Sequence, residues 1–419
     1  MRAASNERCL VVGGGLTGCV SALLLAERGA TVTLCESAAQ LGGVLRDHVN
    51  AGERYFASCQ YLSVAEPWFQ RLPAAVRRLC VEFEHTYGSV TEFREHAVAT
   101  RDMAMPVFPP EAFALDELAP TLDNGTLHSR LAFYPASVGQ SLRDWAARHG
   151  IDPGAVCGEN AIALQMSRVH PAGQDHAVAA FKRHPASDAM LALPLKRRLP
   201  GRSVRAALPA NGFDAFFDTL EQSMILEGIR IRKGTPVKLH GRGAGIDFLS
   251  RSERLGEVDT VVWASNPNPL LKGLGLQSLG NVHARSQTHL YDLGSAGTSW
   301  GTEYYQVFSD RTDVNRLFTY TLGGRARMTV ECLADGRDPR RISDDAGRLL
   351  RQFGHPDLIH WRCQRRDKRY IFHSDSDRAV LSGLADGRLA DNCRIIDAGW
   401  LEYGRDAKIN RIADQLGGF

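Results

Sequence analysis

The chain has 419 residues, 44% hydrophobic and 23% charged, close to the averages of soluble globular proteins and long enough for two or three domains. A formal net charge of +3 is too small to indicate a nucleic-acid partner. The nine cysteines form no C-x-x-C pair and no cluster with histidine at metal-ligand spacing, and no apolar run is long enough to cross a bilayer. We therefore expect a cytoplasmic protein without a metal site, a nucleic-acid partner or stable membrane insertion.

The first predicted elements form a strand–helix–strand unit in the stretch CLVVGGGLTGCVSALLLAERGATVTLCES, residues 9–37. Cys9 to Val12 is a short apolar run that predicts a buried strand, and Cys19 to Ala26 predicts a helix packed on a sheet. Thr31 to Cys35 is rich in β-branched residues and predicts the second strand. A unit of about 30 residues with these parts is typical of a dinucleotide-binding fold.

Three glycines lie between the first strand and the helix in G-x-G-x-x-G spacing. Gly13 permits a tight turn, Gly15 lets the backbone approach a pyrophosphate, and Gly18 lets helix and strand pack closely. The helix N-terminus offers free N–H groups to the phosphates, and Glu36 stands where a carboxylate accepts hydrogen bonds from a ribose. The residues predicted to contact the cofactor here are Gly13, Gly15, Leu16, Thr17, Gly18, Glu36 and Ser37.

A second glycine pair follows in the stretch LGGVLRD. Gly42 and Gly43 let the backbone pass close to a cofactor, and the guanidinium group of Arg46 suits a phosphate. We therefore predict cofactor contacts at Gly42, Gly43, Val44 and Arg46, and an ordinary loop is the alternative.

From Gly52 to about Leu199 the apolar residues show no regular helix or strand spacing, apart from a capped helix predicted over Ser137 to His149. The stretches ERYFASCQYL and EFEHTYGSVTEFREH mix aromatic residues with carboxylates. They supply three candidates for a general base, which are Tyr61, Glu84 and His85.

Three later segments complete a cofactor-binding unit. LEGIRIRKGTPVKLHG predicts two strands around a turn, where Val237 offers backbone groups to an adenine. EVDTVVWASNPNPLL predicts a buried strand from Val258 to Ala264. NCRIIDAGWLEYGRDAKINRIADQL predicts a strand into Gly399 and a helix whose N-terminus faces the cofactor. The cofactor contacts predicted from these segments are Val237, Ala264, Gly399, Trp400, Ala407 and Ile409.

A second insertion, from about Gln287 to Tyr370, contains YDLGSAGTSWGTEYYQVF and NRLFTYTL. Their alternating aromatic residues predict strands. We expect a sheet floor beneath the cofactor, with Trp300, Tyr304, Tyr305 and Tyr320 on its pocket-facing side. Ordinary core packing of each aromatic residue is the alternative.

Two basic clusters suit an anionic substrate. LPLKRRLPGRSVR and RCQRRDKRY are rich in lysine and arginine and lack the acidic partners of a solvated helix face. Planar guanidinium groups bind phosphates bidentately, while solvated charge is the alternative for each cluster. The residues predicted to bind substrate are Arg197, Arg198, Tyr304, Tyr305, Tyr320, Arg366, Tyr403 and Arg405.

The order of these segments resembles that of the glutathione-reductase-like FAD proteins. The N-terminal glycine motif with Glu36, the second glycine pair, the GTPVKL strand, D-x-VVWA and the terminal DAGW helix carry the resemblance. The chain is most similar to the branch of flavin amine oxidases, protoporphyrinogen oxidase, carotenoid desaturases and UDP-galactopyranose mutase. The resemblance implies an α/β fold, with a Rossmann-type FAD-binding domain assembled from discontinuous segments and an inserted α+β substrate domain.

The same resemblance implies how the segments alternate. We expect FAD-binding segments at residues 1–75, 201–286 and 371–419. An inserted helical substrate segment is expected at 76–200, and a substrate-domain sheet at 287–370. A homodimer is compatible with this organisation.

The predicted cofactor is FAD alone, because no second G-x-G-x-x-G follows a strand. The leading hypothesis is an FAD-dependent oxidoreductase that moves a hydride to flavin N5 from a polar, anionic small molecule, such as a sugar or sugar nucleotide. Lys408 is expected near the flavin ring, where a cation stabilises the reduced form, and plain helix surface is its alternative. The predicted catalytic residues are His85, Tyr61 and Lys408.

Two other functions stay open. One is a non-redox enzyme like UDP-galactopyranose mutase, in which reduced N5 attacks a sugar anomeric carbon, although Trp400 follows Gly399 where the mutase has arginine. The other is a non-catalytic binding protein, because the Rab escort and GDP-dissociation-inhibitor proteins share the fold and bind a protein partner.

Overall fold

A computed structural model gives the fold of the chain. The residues that it describes are 7–93, 96–100, 107–108, 126–131, 136–158, 170–171, 204–242, 245–251, 253–280, 282–293, 301–309, 311–332, 338–355, 360–361, 366–385, 388–390, 393–402 and 404–418. The α-helices in these ranges are α1 (Leu16–Glu27), α2 (Pro67–Arg71), α3 (Ala74–Arg77), α4 (Leu127–Leu131), α5 (Ala136–Arg148), α6 (Gly212–Leu226), α7 (Asn268–Gly273), α8 (Pro339–Arg351), α9 (Asp375–Ala385) and α10 (Arg405–Gln415).

The strands divide into those before and those after residue 250. The earlier strands are β1 (Arg8–Val12), β2 (Thr31–Cys35), β3 (Asp47–Asn50), β4 (Glu53–Phe56), β5 (Leu62–Ser63), β6 (Cys80–Phe93), β7 (His96–Thr100), β8 (Val107–Phe108), β9 (His170–Pro171), β10 (Val204–Pro209), β11 (Arg230–Arg232), β12 (Lys238–Arg242) and β13 (Gly245–Ser250). The later strands are β14 (Glu253–Arg254), β15 (Thr260–Trp263), β16 (Val282–Asp292), β17 (Glu303–Ser309), β18 (Val314–Leu322), β19 (Arg325–Cys332), β20 (His360–Trp361), β21 (Arg366–Phe372), β22 (Arg388–Ala390) and β23 (Cys393–Ile396).

Six strands form the first sheet in the order β11-β2-β1-β15-β23-β22. Neighbouring strands are parallel, except that β22 and β23 are antiparallel. β1 is buried from Cys9 to Val12, and the largely apolar helix α1 packs beside it, as a parallel sheet requires. The strands come from three separate stretches of the chain. The predicted Rossmann-type domain assembled from discontinuous segments is therefore confirmed.

The second sheet is mixed, and its main path has the order β20-β16-β19-β18-β17-β6-β10-β5. β21 also pairs with β16, and β7 with β6. One face joins the main hydrophobic core through Tyr304, Phe318 and Tyr320. The other face packs against α8 through Tyr305 and Leu317. Successive residues of a strand point to opposite faces, so neighbouring side chains serve different cores.

The β3–β4 hairpin and α6 connect the two sheets. The Phe56 ring lies 5.2 Å from the Phe213 ring of α6 and 4.5 Å from the Tyr320 ring of β18, measured between centroids. The Phe56 N–H donates to the Tyr320 hydroxyl at 3.0 Å. Asp47 accepts hydrogen bonds from the backbone N–H groups of Phe213 (2.9 Å) and Asp214 (3.1 Å), which holds the hairpin against the N-terminus of α6.

Several sequence expectations are met by these elements. The helix expected over Ser137 to His149 is α5, and the strand expected over Val258 to Ala264 is β15. β5 and β10 lie in stretches assigned to cofactor binding, yet both pair within the large sheet. The domain bounds themselves remain a prediction.

Three general features concern only the part of the chain that the structure describes. No helix there is long and apolar enough to cross a membrane. No group of three side chains there has an arrangement that would hold a metal ion. The eight cysteines in the described ranges are free thiols, and seven of them are buried.

Candidate functional site

The carboxyl ends of β1, β2, β15 and β23 meet at one edge of the six-stranded sheet. β2 lies on one side of β1 and β15 on the other, so the winding of the chain reverses at β1. The Gly13 N–H donates to the Cys35 carbonyl and the Ala264 N–H to the Val12 carbonyl, both at 2.8 Å, which ties the loops together. Ligands of open α/β sheets bind in the crevice at this position.

The glycine loop after β1 forms the base of this crevice. Gly13 has a φ of +109°, which favours glycine, and a Cβ there would lie 3.0 Å from the Ala264 carbonyl oxygen. A Cβ on Gly18 would lie well under 3.0 Å from the Gly13 carbonyl oxygen. In contrast, a Cβ on Gly15 would meet no atom within 4 Å. The loop is thus packed tightly on its inner side and leaves open space at Gly15.

The helix α1 begins at this open space. Gly15 provides no side-chain cap, and the first turn of α1 contains no acidic residue. The backbone N–H groups at the start of a helix, here those of Leu16 and Thr17, have no partner within it, and the helix dipole favours a negative group there. The loop and the helix therefore form a cradle that fits a pyrophosphate. We refer to residues 13–18 as the phosphate cradle.

The Glu36 carboxylate stands beside the phosphate cradle, directly after β2. Its Oε2 atom accepts a hydrogen bond of 2.6 Å from the Gly14 N–H. Its Oε1 atom accepts hydrogen bonds from the Ala38 N–H (2.7 Å) and the Ser37 hydroxyl (3.0 Å). These bonds fix a negative group at the position where a ribose hydroxyl binds in dinucleotide folds.

The second glycine pair closes over the phosphate cradle. Gly42 has a φ of +114°, and its N–H donates to the Gly14 carbonyl at 2.8 Å. Gly43 has a φ of +53°, and a Cβ there would lie 3.5 Å from the Gly15 Cα atom. Val44 follows with its side chain 57% exposed. The two glycine loops thus meet backbone to backbone, and the predicted approach of this second loop to a cofactor stays a prediction.

A turn after β23 forms the other end of the crevice. Gly399 has a φ of +68°, and a Cβ there would lie 2.8 Å from the Lys408 Cα atom of α10. The Gly399 N–H donates to Asp397 Oδ1 at 2.8 Å. The buried Trp400 indole donates from Nε1 to the Trp263 carbonyl at 3.0 Å, which holds the turn against β15. Gly399 therefore lets α10 lie directly against this turn.

Two titratable side chains lie at this turn. Lys408 is half-buried, and burial lowers the pKa of its ammonium group although Glu402 and Asp397 counteract the shift. His373 is buried, forms a hydrogen bond with the backbone of Trp400, and has its pKa lowered mainly by burial. Sequence reasoning missed His373, because an isolated histidine after a strand gives no signal of its partners.

Aromatic residues face the start of α10 from the large sheet. The half-buried Tyr61 ring lies edge-on to the Tyr304 ring, with 6.0 Å between centroids, and 6.5 Å from the Phe318 ring. Asp406, in the first turn of α10, accepts hydrogen bonds from Trp68 Nε1 (3.0 Å) and the Ser63 hydroxyl (2.7 Å). We refer to Tyr61 and Tyr304 as the tyrosine wall.

Comparisons with known proteins agree with this geometry. A family model of an NAD(P)-binding Rossmann-like domain matches residues 11–73, which include the phosphate cradle and both glycine loops. The solved structure of reduced UDP-galactopyranose mutase aligns with a TM-score of 0.65 at 13% identity, over 98% of this chain and 96% of that one. Cyclohexylamine oxidase from Brevibacterium oxydans aligns with a TM-score of 0.61 at 13% identity, over 99% and 100% of the two chains.

A third solved structure is similar over the whole length of the chain. A protoporphyrinogen oxidase candidate from Exiguobacterium aligns with a TM-score of 0.58 at 13% identity, over 99% of each chain. The chain shares its fold with these three structures. No curated protein gives a significant match by sequence.

The structure corrects the prediction for Arg46. Its Nε lies 2.9 Å from Asp214 Oδ1 of α6, and its Nη1 donates to the Leu41 carbonyl at 3.3 Å. The side chain is 18% exposed and turns toward α6. Arg46 therefore pairs with a carboxylate, which the N-terminal turn of α6 brings within reach.

The structure also corrects the prediction for Arg405. Its guanidinium group donates to the Tyr61 carbonyl and to Gln60 Oε1 (3.4 Å), and its Cζ lies 5.7 Å from the Trp68 ring centroid. Burial lowers the pKa of this group, while Asp406 counteracts the shift. Arg405 therefore holds residues 60–68 against α10, so it is engaged within the protein and is not displayed to a substrate.

The three predicted substrate-binding tyrosines that the structure describes, Tyr304, Tyr305 and Tyr320, are all buried, and Tyr305 and Tyr320 are fully so. Tyr305 is fully buried on the α8 side, stacks on Phe353 with 4.0 Å between centroids, and hydrogen-bonds with Glu303 and His355. It points away from Tyr304 because consecutive strand residues alternate between faces. Tyr320 is also fully buried and shares its hydroxyl with the Phe56 N–H and the Thr329 hydroxyl. Neither is available to a substrate.

The remaining predicted residues divide into three groups, according to how much of each residue the structure describes. Val237 and Ile409 are buried in the main core, and Ala407 is half-buried on α10. The structure does not describe the side chains of His85 and Arg366. In the backbone register, His85 on β6 lies opposite Val204, and Arg366 on β21 lies opposite Thr288. The predicted residues that lie wholly outside the described ranges are Arg197, Arg198, Trp300 and Tyr403.

Proposed function

We propose that the protein is an FAD-dependent oxidoreductase that removes a hydride from a carbon atom of a polar small molecule. The observation that carries this proposal is the phosphate cradle, where Gly15 leaves room for a pyrophosphate beside the fixed Glu36 carboxylate. When bound, FAD supplies the hydride acceptor, its N5 atom. The similar structures include an amine oxidase and a mutase studied in its reduced form, which supports a flavin as the dinucleotide.

The crevice supports a division of roles among residues of this chain. The phosphate cradle and Glu36 would hold the adenosine diphosphate part of the cofactor. The Gly399 turn and α10 would hold the other end, where Lys408 provides positive charge that stabilises electron-rich groups. His373, hydrogen-bonded to the Trp400 backbone beside the Gly399 turn, is a histidine that could exchange a proton there.

The substrate that we propose is polar and anionic, such as a sugar or a sugar nucleotide. The arginine-rich stretches 196–205 and 362–369 support this choice, because guanidinium groups bind phosphates. The tyrosine wall supports a ring-shaped substrate, since aromatic rings pack well against the apolar faces of such molecules. We expect the cytoplasm as its location and leave a homodimer as a further expectation.

The first test is the visible spectrum of the purified protein before and after anaerobic reduction with dithionite, followed by acid precipitation. Flavin bands that bleach on reduction, with FAD released into the supernatant, are the expected result. A colourless protein that takes up no added FAD would contradict the proposal and favour a non-catalytic binding protein of this fold.

The second test separates the substrate classes. Oxidised holoprotein is mixed with sugar nucleotides and, as a control, with primary amines, and bleaching of the flavin bands is followed without oxygen. We expect bleaching by the sugar nucleotides only. Conversion of a sugar nucleotide only by pre-reduced protein, without net oxidation, would instead support a mutase-like function. Bleaching only by amines would refute the anionic substrate and retain the oxidoreductase.

A further inference from the structure

A polar crevice of about 570 Å³ lies between two hairpin turns and the start of α6. The turn of the β3–β4 hairpin contributes Gly52, and the turn of the β18–β19 hairpin contributes Gly323. Both glycines have positive φ angles, and a Cβ on either would meet no atom within 4 Å. None of the residues that line this crevice belongs to the phosphate cradle, whereas Arg46, which the sequence predicts as a cofactor contact, is one of them.

The Arg327 guanidinium group on β19 lines this crevice. The side chain is only 3% exposed, and one Nη atom donates to Glu53. The Cζ atom lies 4.4 Å from the centroid of the Tyr55 ring, which fixes the plane of the group. The Nε and Nη1 atoms are buried and have no hydrogen-bond partner. Because arginine keeps its charge, two buried donors without acceptors cost free energy until an acceptor reaches them.

Two of the three carboxylates that line the crevice, Glu53 and Asp214, already have partners. Glu53 binds Arg327 through one oxygen and Arg325 through the other, at 3.1 Å. Asp214 lies 2.9 Å from Arg46 and 3.5 Å from Arg54. The carboxylates of Glu53 and Asp214 are therefore already paired, whereas Nε and Nη1 of Arg327 have no partner among the described residues. The Arg54 side chain is 48% exposed at the mouth, which adds accessible positive charge.

We propose that this crevice binds an oxyanion, the phosphate or carboxylate group of a small molecule, between Arg327 and Arg54. The N–H groups of Arg327 that lack partners can each donate to an oxyanion oxygen, and the half-exposed Arg54 adds positive charge. The exposed carboxylate of Asp218 also lines the crevice. No residue of the phosphate cradle takes part in this site.

The test is calorimetric titration of inorganic phosphate, and separately of acetate, into the protein without FAD and again with FAD in excess, at constant ionic strength in chloride buffer. The variant Arg327→Lys keeps the positive charge and loses the two donors. Arg325→Lys is the matched control, because Arg325 pairs with the same Glu53 but does not line the crevice. We expect Arg327→Lys to weaken binding at least about tenfold and Arg325→Lys to leave it within about twofold. The tighter of the two probes identifies the kind of oxyanion.

Three results would overturn the proposal. The first is no binding of either anion to the wild-type protein. The second is equal binding by Arg327→Lys and wild type. The third is binding that added FAD abolishes, which would locate the anion in the phosphate cradle. If Arg327→Lys fails to fold by circular dichroism, the half-exposed Arg54→Gln takes its place, with weaker binding expected and unchanged binding as the contrary result.

Discussion

A Cβ atom on Gly18 would lie well under 3.0 Å from the carbonyl oxygen of Gly13. The first turn of α1 and the end of β1 therefore touch through backbone atoms, and any side chain at residue 18 must push them apart. This contact sets the shape of the phosphate cradle, because the same loop carries Gly15 into the crevice.

The first prediction concerns Gly18→Ala. We expect the added methyl group to displace the loop and to lower the free energy of unfolding by about 1–3 kcal/mol, as for overpacked cores. Thermal or urea unfolding of the protein without added cofactor measures this. Stability equal to that of wild type would show that the loop relaxes without cost, against the tight packing described here.

The second prediction concerns Gly15→Ala. A Cβ at this position meets no protein atom within 4 Å, and the backbone φ of −70° suits alanine. We expect unfolding free energy within about 1 kcal/mol of wild type but FAD affinity lower by about tenfold, because the methyl group occupies space meant for a pyrophosphate. FAD titration by fluorescence checks this. Unchanged FAD affinity would mean that the dinucleotide does not use the phosphate cradle.

The third prediction contrasts Tyr61→Phe with Tyr305→Phe. Tyr61 belongs to the tyrosine wall, whereas Tyr305 is buried on the opposite face of the sheet. We expect Tyr61→Phe, which removes the hydroxyl predicted to act as a general base, to lower kcat/KM about tenfold, and Tyr305→Phe to leave it unchanged. Tyr305→Phe is expected to lose about 1 kcal/mol of stability, since its hydroxyl contacts Glu303 and His355. A loss of kcat/KM in Tyr305→Phe but not in Tyr61→Phe would indicate that the substrate binds on the α8 face of the large sheet.

The fourth prediction concerns Lys408→Met. The Lys408 ammonium group is half-buried at the Gly399 turn, where positive charge favours an added electron pair. Its removal is expected to lower the midpoint potential of the bound flavin by about 30 mV or more, which corresponds to a tenfold change for two electrons. Reduction titrated against dyes of known potential measures the shift. The control is Lys272→Met on α7, an exposed lysine, which should leave the potential unchanged. An unchanged potential in Lys408→Met would assign Lys408 to ordinary helix surface.

The fifth prediction concerns Asp47 and pH. Burial raises the pKa of the Asp47 carboxyl group from 3.8 to about 6, although the backbone N–H groups of Asp214 and Phe213 oppose the shift. The folded protein therefore holds this proton at pH values where the unfolded chain has released it. Its contribution to stability is full below about pH 4 and is lost as the pH rises toward 6, by up to about 3 kcal/mol.

The variant Asp47→Asn removes this titration. We expect the stability advantage of wild type over Asp47→Asn to shrink as the pH rises from about 4 to about 6, because only the wild type must ionise a buried group. Urea unfolding of both proteins at closely spaced pH values gives the difference directly. A difference that stays constant or grows across this range would contradict the raised pKa.

The local parts of the fold follow closely from the sequence. The strand, helix and strand predicted at 9–12, 19–26 and 31–35 correspond to β1, α1 and β2. Gly13 and Gly18 have the geometry that their spacing requires. These features are predictable because a tight turn and a helix N-terminus depend on backbone conformations set within a few residues.

Contacts between distant segments of the chain decide which partner an individual side chain meets. Arg46 has the same local sequence whether it binds a phosphate or a carboxylate, and the distant helix α6 supplies Asp214. Arg405 was expected to face a substrate, yet it binds Gln60 and Tyr61, whose place depends on the packing of α10. No local pattern contains this information.

The sequence by itself determined the dinucleotide-binding unit, the order of its segments and the turns that need glycine, because those depend on short-range backbone geometry. The tertiary structure decided which face of the large sheet each tyrosine serves and which carboxylate each arginine meets. It also revealed His373 beside Trp400 and the two N–H groups of Arg327 that lack partners. These properties depend on strand register and on contacts between segments far apart in the chain, where a shift of one residue reverses the direction of a side chain.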